Sequence, residues 1–130
     1  MKNPSIRLNW TIAITLAALV TSAAPAAFAG DAAAGKTTYT INCLACHGET
    51  GKGDGPVGQV LQPPPRDFSG GKFQLDTDGD GKTGTDADLK AVIAKGAAAY
   101  GGNQMMTAWG GVLSDEDIEN LVAYIHTLKD

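Results

Sequence analysis

Cys43, Cys46 and His47 carry the strongest chemical signal in the chain. They stand in the stretch "NCLACHG" as C-x-x-C-H, and these are the only two cysteines of 130 residues. Three chemistries use such a pattern: a redox dithiol, half of a zinc site, and covalent haem attachment. A C-x-x-C dithiol sits on a strand-to-helix turn of a βαβ unit, where the helix N-terminus lowers the pKa of the first thiol. A zinc site needs four ligands, and the chain offers only one further histidine, His126, and no further cysteine. Haem attachment accounts for the spacing mechanically. Two thiols three positions apart on a helical turn add to the two vinyl groups of one haem, and the adjacent imidazole points at the iron.

The elements that must position these groups can be read from capping and periodicity. "DAAAGKTTYTIN" predicts a first helix capped by Asp31, which delivers Cys43 at its end. "HGETGKGDGPVGQVLQPPPRDF" then predicts loop, because five glycines lie between Gly48 and Gly58 and Pro63, Pro64 and Pro65 impose an extended path. Thr85, with Asp88 three residues on, resembles a capping box and opens a helix whose apolar positions are Leu89, Val92 and Ile93. Ser114 opens the last helix in the same way, with Ile118, Leu121, Val122, Ile125 and Leu128 on one face. No stretch alternates apolar and polar residues over five or more positions, so the expected class is all-α with little or no sheet. His126 falls beside Ile125 on the last helix and is expected at the surface. In "DTDGDGKTGTD", Asp76, Asp78, Asp80 and Gly81 match the first half of an EF-hand loop, but position twelve falls on Ala87 instead of Glu. These three aspartates could hold a weak calcium ion, or form a solvated acidic turn.

Lys2 and Arg7 precede an apolar run from Trp10 to Val20, which leads to "SAAPAAFAG" with Ala27 and Ala29 flanking Phe28. That is the anatomy of a signal peptide, so residues 1–29 are expected to be cleaved and 30–130 to form one domain in the periplasm. Retention as an anchor would need about 20 apolar residues, and this run is diluted by threonines, a serine and Pro25. Without Lys2 and Arg7, eight Lys and Arg face fourteen Asp and Glu, a net charge of −6. This charge excludes nucleic acid as a natural partner and favours docking to a basic protein surface. All 17 glycines lie in the expected mature part. A small, glycine-rich exported domain needs a staple, and a buried haem would be one.

With these residues in hand, the chain resembles the small class I c-type cytochromes over nearly all of its mature length. "CLACHGETGKGDG" is similar to the attachment segment of that family, and "GAAAYGGNQMMTAWGGVLSDEDIENLVAYIHTLKD" to its methionine loop and closing helix. Gly35, Tyr39 and Tyr124 match its small and aromatic helix-contact positions. The resemblance implies a cytochrome c fold around one covalent haem c, attached at Cys43 and Cys46, with His47 and a methionine as axial ligands of the iron. In the family the ligand commonly stands in M-P-x-W; "MMTAW" fits with Met106 as ligand, Thr107 in place of the proline and Trp109 packed beside the haem. Met105 is the runner-up. The resemblance further implies a backbone carbonyl from the Pro63 to Pro65 loop on the second ring nitrogen of His47. Arg66, which follows, has the planar fork suited to a haem propionate, and reads equally as a solvated surface arginine.

The expected function is therefore a soluble, monomeric periplasmic electron carrier, whose iron cycles between ferrous and ferric states between a donor and an acceptor protein. No acid, base or nucleophile constellation accompanies the motif, so no enzymatic turnover is expected. Two other functions use the same domain: a gas-binding or sensor haem with an open sixth site, which Thr107 keeps in play, and an electron-input subunit docked to an oxidoreductase.

Overall fold

The computed structural model describes residues 29–129. The expected signal peptide lies outside the described residues, apart from Ala29. Four helices follow in order: α1 (Ala32–Asn42), α2 (Leu44–His47), α3 (Asp86–Lys95) and α4 (Asp115–Thr127). A short 3₁₀ turn at Gly58–Val60 interrupts the expected glycine- and proline-rich loop, a second at Ala97–Tyr100 follows the Gly96 cap of α3, and no strand occurs among the described residues.

Each long helix begins as its capping residues dictate. The Asp31 carboxylate accepts from the N–H groups of Ala33 and Ala34. Thr85 with Asp88, and Ser114 with Asp117, each form a reciprocal capping box that satisfies two otherwise orphaned donors. The apolar face of α4 is buried at Ile118, Leu121, Val122 and Ile125, each 4% exposed or less, while Leu128 is half-buried at the edge of the same core. These side chains pack with Tyr39 of α1 and with Leu89 and Ile93 of α3.

The crossing of α1 and α4 is the most extensive helix contact. It depends on Gly35: a Cβ there would overlap the carbonyl of Asn120, so only glycine allows the two backbones to touch. Two further contacts lock the crossing. The backbone N–H of Asp31 donates to Asn120 Oδ1 at 2.6 Å. The rings of Tyr39 and Tyr124 meet edge to face with centroids 5.1 Å apart.

Candidate haem site

The C-x-x-C-H stretch does not simply end the first helix. Cys43 closes α1, its N–H donating to the carbonyl of Tyr39, and a separate turn of helix, α2, carries Cys46 and His47. A turn this short leaves its carbonyls without partners in its own helix. The glycine-rich loop supplies them: Val57 N–H donates to Ala45 O at 2.9 Å, Gly55 to Cys46 O at 3.3 Å and Gly53 to His47 O at 2.8 Å. Such close backbone approach explains the spacing of the glycines, since a Cβ at Gly55 or Gly58 would collide with these same carbonyls. Tyr39 adds a tie from below, its hydroxyl donating to Gly48 O at 2.7 Å.

His47 is only 8% exposed. Its Nδ1 lies 3.3 Å from the carbonyl of Arg66. A carbonyl only accepts, so Nδ1 carries the proton and Nε2 keeps its lone pair. The sequence expectation of a carbonyl from Pro63 to Pro65 is therefore corrected by one residue. The loop is the expected one, but Arg66 makes the bond. Phe68 completes the setting, stacked on the imidazole with centroids 4.5 Å apart and planes 17° from parallel. Burial lowers the pKa of His47, with the Arg66 carbonyl opposing in part, so the ring is held in the neutral form that binds metals. Burial, and then the neighbouring Cys46, push the Cys43 thiol up to about 11. That is the opposite of an activated redox thiol.

His47, Cys46, Met105 and Met106 line one cavity of about 400 Å³. Leu61, Phe68, Phe73, Leu75, Leu89, Val92, Ile93 and Ile125 supply most of the remaining lining. The two methionines differ in setting. Met106 is half-buried against the core, whereas Met105 is 58% exposed. Thr107 brings no proline stiffness to this loop, and backbone bonds to the end of α3 stand in for it: Ala97 N–H donates to Met106 O at 3.1 Å, Trp109 to Ile93 O at 3.0 Å and Gly110 to Ala94 O at 3.0 Å. Gly96 makes the approach possible, because a Cβ there would press on Met106 O and the backbone of Thr107 and Ala108.

Other predicted positions fall less simply. Arg66 is exposed, lines the cavity, and donates to Gln74 Oε1 at 2.6 Å. Trp109 packs half-buried against the core cluster, with its backbone N–H bonded to Ile93 O. His126 is half-buried rather than free, and its Nε2 lies 2.7 Å from Asp86 Oδ1. Asp76, Asp78 and Asp80 converge, with oxygens within 4.8 Å of one another, and all three are exposed. Both oxygens of Asp76 already accept backbone N–H groups, from Gly79 and Gly81. Asp88 is buried away from them, and among the described residues no fourth carboxylate joins the three.

The donor set and the apolar cavity fit a haem: two thiols and a neutral imidazole on one short turn, and a thioether facing the same space. Residues 32–129 match the family model described as cytochrome c. The chain belongs to the cytochrome c family. It is 34% identical to cytochrome c-554(547) of Halothiobacillus neapolitanus over 78% of this chain and the whole of that protein. It is 36% identical to cytochrome c6 of Rippkaea orientalis over 78% of this chain and 74% of that one. Similarity at 38% identity to the cbb3-type cytochrome c oxidase subunit CcoP of Azospirillum brasilense covers 75% of this chain but only 30% of that longer protein. Among solved structures, a chain of the Kuenenia stuttgartiensis reducing HAO-like protein complex superposes with a TM-score of 0.62 at 30% identity, covering 74% of this chain and 41% of that one. As a member of this family the chain carries a covalently bound haem c, and its work is electron transfer.

Sequence reasoning missed Phe68 and the carbonyl of Arg66. Phe68 left a signal in "PPPRDF", where it is the first aromatic after His47. A carbonyl leaves none.

Proposed function

We infer that the chain is a free periplasmic electron carrier in which Cys43 and Cys46 hold the haem and His47 and Met106 ligate its iron. It has no substrate of its own to turn over. The observation that carries this reading is the pairing, across one apolar cavity, of a neutral and oriented His47 with a half-buried methionine on a loop fastened at both ends. The haem, when bound, supplies a one-electron couple, and a thioether ligand favours its reduced state. The protein residues orient the imidazole, hold the sulfur in place and keep water from the iron side of the cavity. Arg66, at the rim, would meet a propionate. The mature charge of −6 suits donor and acceptor proteins with basic docking faces.

The absorption spectrum of the haem-loaded protein tests the ligand set. The ferric form is expected to show the weak long-wavelength band of methionine-ligated haem, and the ferrous form to resist carbon monoxide. Met106→Ala should abolish the band and open the iron to carbon monoxide, while Met105→Ala should leave both unchanged. Loss of the band in Met105→Ala alone would reassign the ligand. Similarity to a domain of CcoP favours a second reading, the same carrier domain bound permanently to an oxidoreductase. Co-purification of a stoichiometric partner from native periplasm or membranes would select it.

A further inference from the structure

One polar side chain in the wall of the cavity has no part in the ligand set described above. Asn103 is half-buried and lines the cavity together with Pro63, Met105 and Met106. Its Nδ2 donates to the carbonyl of Pro63 at 2.9 Å. Its Oδ1 accepts from the N–H of Met105 at 2.9 Å, and its backbone carbonyl accepts from the N–H of Met106 at 3.1 Å. One amide proton of this side chain thus joins two loops, and one lone pair of its oxygen holds the methionine turn.

The connection is singular. Among the described residues, no other hydrogen bond links the segment from Gly48 to Leu75 with the segment from Gly96 to Leu113. The first of these holds His47, through Arg66, three residues beyond Pro63; the second presents the methionines. Apart from covalent and helical connections, Asn103 is the fastening between the histidine side and the methionine side of the cavity. It also acts on the turn itself. Two successive N–H groups, of Met105 and Met106, are bound by the side chain and the carbonyl of the same residue, which fixes the turn in the register where Met106 is half-buried against the core and Met105 is 58% exposed at the cavity's edge. A loop with two adjacent methionines, and Thr107 where a proline would stiffen it, needs such a register lock.

We propose that Asn103 is a positioning residue for the sixth ligand: it selects Met106 over Met105 and keeps the methionine loop closed against the His47 loop. The proposal rests on the ligand reading above. Side chains of other types would fill the same space, but only a group that both donates and accepts can serve Pro63 O and Met105 N together.

The test uses the haem-loaded full chain as wild type, Met106→Ala, Asn103→Ala and Asn103→Asp, read by the ferric long-wavelength band, the rate of carbon monoxide binding to the ferrous form, and the midpoint of chemical unfolding. Asn103→Ala is expected to weaken the band and speed carbon monoxide binding by roughly tenfold, the scale of two lost hydrogen bonds. Asn103→Asp keeps the acceptor for Met105 N but loses the donor to Pro63 O. It should keep Met106 as ligand, so that adding Met105→Ala changes nothing, yet still bind carbon monoxide faster than wild type. Should Asn103→Ala fail to accumulate with haem, Asn103→Val, which neither donates nor accepts, decides on the same readouts. A band and carbon monoxide resistance equal to wild type in Asn103→Ala, or in its Val replacement, overturn the proposal even if the unfolding midpoint falls, since that is what a purely structural residue would give. A wild-type protein without the band, or a Met106→Ala protein that retains it, overturns the ligand reading and this proposal with it.

Discussion

Asp88 shows how much one side chain can do without touching the chemistry. It is 1% exposed, and its two carboxylate oxygens accept from the N–H and hydroxyl of Thr77 and from the N–H and hydroxyl of Thr85. These donors, the Thr77 N–H first, hold its carboxyl down to about 2 from the ordinary 3.8, against the opposing effect of burial. The folded state therefore binds this proton less readily than the unfolded chain. Its contribution to stability is complete above about pH 4 and is lost as the pH falls through 2. The haem-loaded wild type should lose unfolding free energy as pH drops from 4 to 2, while Asp88→Asn starts less stable at pH 7 and shows a flatter acid limb. Denaturant titrations across that range check it; parallel acid limbs would remove Asp88 from the account. At this scale the sequence was half legible. "TDAD" announced the capping box, because both partners lie within one turn. The bonds to Thr77 join residues eleven apart in sequence, through a loop whose path no local pattern specifies. The carbonyl of Arg66 is illegible for a stronger reason: every residue has one.

Among elements, the α1–α4 crossing sets the frame on which the haem turn rests. Alanine would favour an isolated α1 over Gly35 by about 1 kcal/mol. In the folded chain the added Cβ meets the Asn120 carbonyl, and the helices must separate. Gly35→Ala should lower stability by roughly 1–3 kcal/mol, the usual cost of overpacking a tight contact. It should also disturb the edge-to-face pair of Tyr39 and Tyr124, visible in the near-ultraviolet circular dichroism. An unchanged unfolding midpoint would show that α4 can yield at no cost. The helices themselves were readable to within a residue or two, since Asp31, Thr85 and Ser114 are strong caps and α4 has a clear apolar face. The separation of α2 from α1 was not. A break at Cys43 involves neither glycine nor proline, and arises because the loop of Gly53, Gly55 and Val57 takes over the carbonyls of the second turn.

At the scale of the molecule, a core of four helices surrounds a space rather than filling it. The walls of the cavity are mostly apolar side chains that, without a haem, face water or each other across about 400 Å³. Such surface contributes stability only when covered, and a domain of this size has little to spare. A Cys43→Ala/Cys46→Ala chain, made without attached haem, should therefore lose its cooperative unfolding transition and near-ultraviolet dichroism while the loaded protein keeps both. A sharp transition in the haem-free chain would mean that α1, α3 and α4 form a self-sufficient core.

The fourfold grip of Asp88 has a practical side as well. It draws the chain together at Thr77 and Thr85, so the acidic loop between them is a closed excursion whose tip is isolated from its base. A Cβ placed at Gly79 or Gly81 would meet no other atom within 4 Å. This tip is a natural attachment point: a tag, a fluorophore or a linker to an electrode surface inserted beside Asp80 would hang from the protein on a stem that is already knotted shut, leaving the wiring of the haem undisturbed.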